Sequence, residues 1–361
     1  MSMIEHNDFE SLAWKCSFPS VMVTIILMSA FLPQKALSVN IDFNSIAAKG
    51  AFPKFCVDTY HWIDRTFNGA DTSYVKSTGY KWNLKLRTNG WSDFNHFYFD
   101  KDNRMKMHSP FCGSIGADVQ FMAVALGYDL NLNHLFGGKD RSKSKFNLDF
   151  SSGLLSARLY SIKNKDGMTI SRFGDLKKQN IEYYGLKSTV WGIDITCFLN
   201  PRRYYGSATL SFGKIQIRSQ GSWLVGLAYQ SQKLNFDFTS LPDEVKPWLP
   251  EKWHGKTYTT DGYNIGLSGG YGYNWVPRRN LTLGMQAMVI PSLNYGYVNG
   301  DEKQYGFRIN YRLNVGMVWN HNRWFIGAAA KVDASAIYSN STLTNGLVNL
   351  EAKIGWRFNL F

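Results

Sequence analysis

The chain has 361 residues, of which 44% are hydrophobic and 16% aromatic, and it carries a formal net charge of +13. Beyond its N-terminal region it has no run of about 18 apolar residues, which argues against a helical membrane protein. The lysines and arginines are spread along the chain rather than gathered in one block, so binding to nucleic acid is not expected. Contact with an anionic surface, a basic interior and ordinary solubilising charge all remain open.

Residues 1–38 are predicted to be a signal peptide. Residues 18–33 form an apolar stretch, and the small residues Ala36 and Ser38 follow it at the positions that a signal peptidase prefers. A single membrane anchor is the competing interpretation, but the stretch is short for a span.

Residues 39–79 are predicted to form a periplasmic segment with an amphipathic helix. Apolar side chains recur at helical spacing at Phe52, Cys56, Ile63 and Phe67, with charged residues between them. This helix is expected to pack at the base of the following domain. Entry into its interior and a position at the membrane surface are the alternatives.

Residues 80–361 are predicted to form an outer-membrane β-barrel. Residues 281–297 and 305–319 alternate apolar and polar side chains, and side chains alternate between the two faces of a strand. Soluble strands usually have about 5–6 residues, whereas about 9–11 cross a membrane at a tilt, and these runs are longer still. The fold class is therefore an all-β, transmembrane antiparallel barrel preceded by a short helix.

About 12 strands are expected, with a range of 10 to 14. Single-chain bacterial barrels have even strand numbers. The range reflects residues 144–185, where Ser151-Ser152-Gly153 is either a turn between two strands or a kink within one. The strand candidates are residues 80–86, 111–119, 122–132, 146–162, 186–199, 207–217, 223–236, 263–275, 281–297, 305–319, 324–338 and 347–358.

The turns give the orientation. Residues 276–280 and 321–322 are short connections, and short turns lie on the periplasmic side of such barrels. Tryptophan and tyrosine rings are enriched at both membrane interfaces. The residues predicted for the periplasmic girdle are Trp223, Trp275, Trp319, Trp324 and Trp356, and those for the outer girdle are Tyr263, Tyr297, Tyr305 and Tyr338.

Residues 241–256 are the longest late insertion, and three prolines prevent them from forming a strand. They are predicted to lie outside the cell as a lid or a partner-contacting loop, with a solvated connection as the alternative. Residues 350–358 alternate and end on Phe358, as in the closing strand that the barrel-assembly machinery recognises. The expected location is the bacterial outer membrane, and the expected partners are its lipid, lipopolysaccharide and that machinery.

The polar faces of the strands predict a charged lumen, because ionised groups must face water or pair with each other. The lumen candidates are Lys81, Lys85, Arg87, Arg308, Arg312, Lys331, Asp333 and Arg357. One hypothesis is a basic, water-filled channel for small anionic solutes. The alternative is a charge-paired, plugged interior in a structural, envelope-assembly or surface-binding barrel without transport activity.

An enzyme is not expected. No histidine lies mid-strand beside a serine at a convincing spacing, and no catalytic or nucleotide-binding motif occurs in a usable context. The scattered cysteines Cys56, Cys112 and Cys197 indicate neither a disulfide framework nor a metal site, and no cofactor is predicted. The glycine-rich residues 268–272 are expected to leave space in the lumen or to permit bending.

Several short motifs carry a resemblance to a known family. They are residues 71–75 (DTSYV), 126–128 (LGY), 145–160 (KFNLDFSSGLLSARLY), 218–226 (RSQGSWLVG), 241–244 (LPDE) and 270–276 (GYGYNWV). Taken in order, they resemble the uncharacterised outer-membrane family known as domain of unknown function 4421, which is typical of Bacteroidetes. The resemblance implies a β-barrel in the outer membrane of a Gram-negative cell and brings no catalytic or ligand-binding residues with it.

Overall fold

The computed structural model describes residues 48, 50–99, 103–121, 124–132, 143–165, 167–174, 176–210, 213–298, 302–338 and 342–359. The predicted signal peptide lies outside these residues. Helix α1 spans Ala51–Asn68 and confirms the helix predicted over residues 52–67. Its packing at the barrel base stays a prediction. In the part of the chain that the structure describes, no helix is both long and apolar enough for a membrane span.

Within the described residues, seventeen strands follow α1. They are β1 Val75–Ser77, β2 Trp82–Tyr98, β3 Arg104–His108, β4 Cys112–Phe121, β5 Val124–Asn131, β6 Lys143–Ser151, β7 Leu155–Asn164, β8 Met168–Phe173, β9 Leu176–Tyr183, β10 Leu186–Phe198, β11 Lys214–Gln216, β12 Gln220–Asp237, β13 Thr257–Arg278, β14 Leu281–Val298, β15 Glu302–His321, β16 Trp324–Tyr338 and β17 Thr342–Phe358.

Twelve of these strands form one antiparallel ring, which confirms the transmembrane β-barrel. The order around the ring is β2, β4, β5, β6, β7, β10, β12, β13, β14, β15, β16, β17. The last strand closes on the first through a continuous register from Thr342 opposite Tyr98 to Phe358 opposite Trp82. The pairing between β5 and β6 is much shorter and covers two residue pairs, Val124 with Phe150 and Ala125 with Asp149.

The number of strands matches the prediction; the choice left open at residues 151–153 is decided in favour of a turn, and one predicted strand is wrong. Residues 146–162 contain a turn at residues 152–154 and form two strands, β6 and β7. Residues 207–217 do not form a barrel strand: residues 206–210 are turns, and β11 pairs with β1 in a separate two-stranded sheet. The two differences offset each other in the count.

Side chains alternate between the two faces of the wall as the sequence predicts. On β13, Tyr263, Ile265 and Leu267 are exposed, whereas Asn264 and Ser268 between them are buried. The exposed face is the apolar one, which is the arrangement of a strand with lipid outside and a polar interior. The wall differs in height around the ring, since β4 to β7 have 10, 8, 9 and 10 residues while β13 has 22 and β15 has 20.

A hydrophobic cap covers the long-loop end of the barrel. It consists of β3, β8, β9 and residues 238–256, the last of which form three short 3-10 turns. Phe236 lies at its centre with no exposed surface, and its ring is 4.3 Å from that of Phe238 and 4.9 Å from that of Phe97. Leu241, Val245 and Leu249 are buried in the same cluster, so the predicted outer loop packs as a lid. This burial supplies the main stabilisation of the cap.

A plug occupies the short-turn end. It consists of residues 199–219 between β10 and β12, and Tyr204 within it has no exposed surface. The Tyr204 hydroxyl accepts a hydrogen bond from Gln286 Nε2 at 3.1 Å, and Asn274 Nδ2 donates to the Tyr205 carbonyl at 2.9 Å. A Cβ atom on Gly272 would lie 2.3 Å from the Tyr204 hydroxyl. The absence of a side chain at Gly272 therefore makes room for the plug, in line with the space predicted for residues 268–272.

Candidate functional site

The interior between the cap and the plug holds two cavities. The outer cavity, toward the cap, has a volume of about 170 Å³, and the inner cavity, toward the plug, has about 140 Å³. Arg158, Asp194 and Arg312 line both of them and mark the level at which they meet. Each cavity has room for roughly ten water molecules.

Four charged side chains form a closed square at this level, here called the Arg–Asp square. Arg158 on β7 lies 2.9 Å from Asp194 on β10, and Arg312 on β15 contacts the same carboxylate oxygen at 2.8 Å. Arg312 Nε also contacts Asp333 on β16 at 2.6 Å, and Arg158 reaches that residue at 3.7 Å. Because β12, β13 and β14 lie between β10 and β15, the square bridges facing walls of the lumen.

A second charged cluster lines the inner cavity on β2, β4 and β5. Arg87 on β2 makes a two-pronged contact with Asp129 on β5, at 2.7 and 2.9 Å, and lies 2.8 Å from Asp118 on β4. Lys85 donates to Gln120 at 3.0 Å and lies 3.9 Å from Asp118. Two-pronged arginine–carboxylate contacts fix both partners, so these side chains are held rather than free in the lumen.

The charges around the two cavities balance. Among the described residues that line them, seven are basic and seven acidic: Lys85, Arg87, Lys145, Arg158, Arg312, Lys331 and Lys353 against Asp93, Asp118, Asp129, Asp149, Asp194, Asp333 and Glu351. The overall charge of +13 is therefore not concentrated in the lumen.

The outer cavity is also rich in carboxamides. Its lining includes Asn95, Asn147, Gln230, Gln232, Asn264, Asn310, Asn345 and Asn349, with the hydroxyls of Tyr160, Ser188, Ser292 and Ser335. Each amide offers two donors and one acceptor oxygen, so this wall can exchange hydrogen bonds of both senses with whatever fills the cavity.

The structure places the predicted lumen residues at three levels. Lys85, Arg87, Arg312, Lys331 and Asp333 line the cavities. The Asp333 carboxylate contacts both arginines of the Arg–Asp square.

The remaining three lie elsewhere. Arg308 is buried below the cap, where its Nη1 donates to Gln232 Oε1 at 2.8 Å. Arg357 is fully buried near the short-turn end, with its guanidinium 4.4 Å from the Phe325 ring centre. Lys81 precedes β2 and is exposed to solvent, and the buried, inward-facing series of β2 begins at Asn83.

Sequence reasoning missed Arg158, Asp129, Lys145 and Glu351. Arg158 and Lys145 fall in the segment whose strand number was open, so no face could be assigned to them. A signal was nevertheless present, because residues 145–150 (KFNLDF) alternate polar and aromatic or aliphatic side chains.

The predicted girdle residues lie on the outside of the wall. All five tryptophans are exposed at the short-turn end, and the Trp324 and Trp356 rings, 6.4 Å apart, continue into a belt with Phe358. Tyr263, Tyr297 and Tyr305 are exposed toward the long-loop end. The side chain of Tyr338 lies outside the described residues. In the described residues, no group of three or more His, Cys, Asp or Glu side chains is placed to hold a metal ion.

Comparisons with solved structures find other barrels at low similarity. The outer membrane protease OmpT from Escherichia coli is 7% identical, with a TM-score of 0.37 over 80% of this chain and 100% of that one. The transport unit of the autotransporter AIDA-I from E. coli is 12% identical, with a TM-score of 0.32 over 76% and 90%. The toluene transporter TodX from P. putida is 8% identical, with a TM-score of 0.24 over 77% and 90%. None of these similarities extends to function.

No curated protein matches the chain. One family model does match, over residues 69–358, which contain every barrel strand, the cap and the plug. The chain therefore belongs to the family described as Domain of unknown function (DUF4421).

Proposed function

We propose that this protein is an outer-membrane barrel that keeps its lumen closed and serves the envelope as a structural, assembly or surface-binding component without transport activity. The observation that carries the proposal is that the chain itself fills both ends of the barrel. The cap buries an aromatic cluster at one end, and the plug is hydrogen-bonded to β13 and β14 at the other.

The outer face of the wall supports a membrane location. An apolar band with aromatic rings at both edges suits a bilayer, and closed barrels of this kind occur in outer membranes. A signal peptide over residues 1–38 would take the chain there, with outer-membrane lipid, lipopolysaccharide and the assembly machinery as partners. On this proposal the plug faces the periplasm and the cap faces outward. Family membership adds Bacteroidetes as the expected origin.

The competing proposal is a channel for small anionic solutes. The net charge of +13 favours it. Two features of the interior count against it. The cavity walls carry equal numbers of acidic and basic groups, and the Arg–Asp square bridges the lumen with all four charges compensated. A lumen of this kind has no excess positive potential to attract anions.

Single-channel conductance of the refolded mature protein in a planar bilayer tests the choice. The wild type is expected to be silent. A variant in which residues 204–210 (YYGSATL) and residues 241–253 are both replaced by glycine–serine segments of equal length should conduct, because the plug and the loop part of the cap are then removed and the strands are not. Heat-dependent mobility on a denaturing gel confirms that both proteins are folded.

Steady conductance by the wild type, with anion preference that falls on neutralising Arg308 and Arg312, would overturn the proposal in favour of the channel. Silence from both folded proteins would show that the cap and the plug are not what closes the lumen, and would contradict the observation on which the proposal rests.

A further inference from the structure

The outer cavity contains polar side chains whose hydrogen-bonding capacity the protein leaves unused. Asn264 on β13 is 3% exposed, and neither its Oδ1 nor its Nδ2 has a partner among the described protein groups. Asn310 Oδ1 and Ser335 Oγ line the same cavity and are likewise buried and unpartnered. Buried polar atoms are normally paired, because an unpaired one loses its interaction with water without compensation.

These groups differ from the charged ones beside them. Asn310 Nδ2 is engaged with Ser292 Oγ at 3.1 Å, and the Asn349 amide oxygen accepts from Lys145 at 3.1 Å. The polar wall is thus partly self-paired, and the unused capacity is concentrated on neutral groups of β13, β15 and β16. The unpaired atoms are two amide oxygens that accept, one amide nitrogen that donates and one hydroxyl that can do either. A ligand that both donates and accepts hydrogen bonds therefore fits them best.

The charge around this cavity argues for a neutral partner. Four basic residues on its lining face four acidic ones, and the Arg–Asp square uses two of each. The two arginines of the square are therefore already paired and are not free to hold an anion. Its volume of about 170 Å³ has room for roughly ten waters, which limits a ligand to about the size of one monosaccharide.

We infer that the outer cavity is a binding site for a neutral, polyhydroxylated molecule of monosaccharide size, held by Asn264, Asn310 and Ser335. The inference goes beyond the proposed function and does not depend on it, because a conducting barrel could carry the same site. Leu234 lines the cavity and is also part of the cap cluster, so a ligand entering from the long-loop end requires the cap to move.

The test uses the refolded full barrel in detergent and four neutral sugars, glucose, galactose, mannose and N-acetylglucosamine, with glucuronate as the charged comparison. Saturation-transfer NMR and calorimetry measure binding. At least one neutral sugar should bind at millimolar concentration, and Asn264→Leu should weaken it about tenfold, since two hydrogen bonds are lost.

Asn83→Leu is the matched control. Asn83 is 4% exposed and its Oδ1 is also unpartnered, but it lies on β2 near the short-turn end, outside both cavities. This variant should bind like the wild type. Binding of glucuronate alone, equal binding by the Asn264→Leu variant, or no binding by any neutral sugar would each overturn the inference. The conductance measurement is unaffected by any of these results, so the two proposals can fail separately.

Discussion

The seating of the plug against β14 can be tested with a single methyl group. A Cβ atom on Gly284 would lie 2.4 Å from Thr209 Oγ1 and 2.7 Å from Asn274 Oδ1, closer than a real Cβ approaches its neighbours. Gly284→Ala must therefore shift the plug, and overpacking of this kind costs about 1–3 kcal/mol of unfolding free energy. The measurement is guanidinium unfolding of the barrel in lipid vesicles, followed by tryptophan fluorescence.

Thr209→Ala removes the hydroxyl that meets the new methyl group. The double variant Gly284→Ala/Thr209→Ala should therefore regain about 1 kcal/mol over the sum of the single effects, as contacting residues do. The rescue is partial because the Asn274 contact remains.

Gly306→Ala is the matched control. Gly306 also faces the interior, but its Cβ would meet only Asn294, at 3.8 Å. Since alanine is favoured over glycine in a strand, this variant should be unchanged or more stable by about 0.5–1 kcal/mol. If Gly284→Ala were as stable as Gly306→Ala, or if its effect simply added to that of Thr209→Ala, the plug would not be seated as described.

Three further predictions concern the Arg–Asp square, the cap and the ion pair between Asp71 and Arg203 of the plug, whose charged atoms lie 3.3 Å apart. Asp194→Asn removes the carboxylate shared by two arginines and should cost about 1.5–3 kcal/mol in the same assay, whereas Asp261→Asn, at an exposed pair with Lys233, should cost less than about 1 kcal/mol. Phe236→Ala should destabilise the cap by about 3–5 kcal/mol, seen as faster proteolysis within residues 238–256 while the gel mobility of the folded barrel is retained; unchanged cleavage would show that the cap does not rest on this ring. Hydrogen bonds from the hydroxyl and amide of Ser73, and then the charge of Arg203 in the plug, lower the pKa of Asp71. The stability that these contacts contribute is therefore present above the ordinary aspartate pKa of about 3.9 and is lost as the pH falls through the lowered pKa. NMR titration of the Asp71 carboxyl should show a higher pKa in Ser73→Ala, and an identical midpoint would contradict the contact.

The sequence predicted the wall well because the side chains of a membrane strand alternate between lipid and lumen along its whole length. Alternation over residues 281–297 and 305–319 gives the strands, their faces and their ends together. The strand count agreed for a less secure reason. Residues 207–217 have the apolar content of a strand, but Ala208 and Thr209 among them are buried inside the lumen rather than in its wall. An apolar pattern indicates that residues are buried, but it does not indicate whether they lie in the barrel wall or inside the lumen.

The closed interior was beyond sequence reasoning for a different reason. Arg158 and Asp194 lie on neighbouring strands, yet they meet Arg312 and Asp333 only because the ring brings β7 and β10 opposite β15 and β16. Such contacts depend on strand order and register, which one chain without relatives does not display. The same holds for the cap, whose three segments are far apart along the chain.

The unequal strands give the molecule a high side and a low side. At about 3.3 Å per residue and a tilt of about 40°, ten residues rise ~25 Å, which is about the height of the lipid-facing band, and the 22 residues of β13 rise ~55 Å. On the low side, however, the sheet does not stop at the end of β4. The upper part of β2, residues 94–98, pairs with β3, and β8 and β9 follow β3 in the same sheet. The cap therefore continues the wall above its short strands as well as covering the end of the barrel.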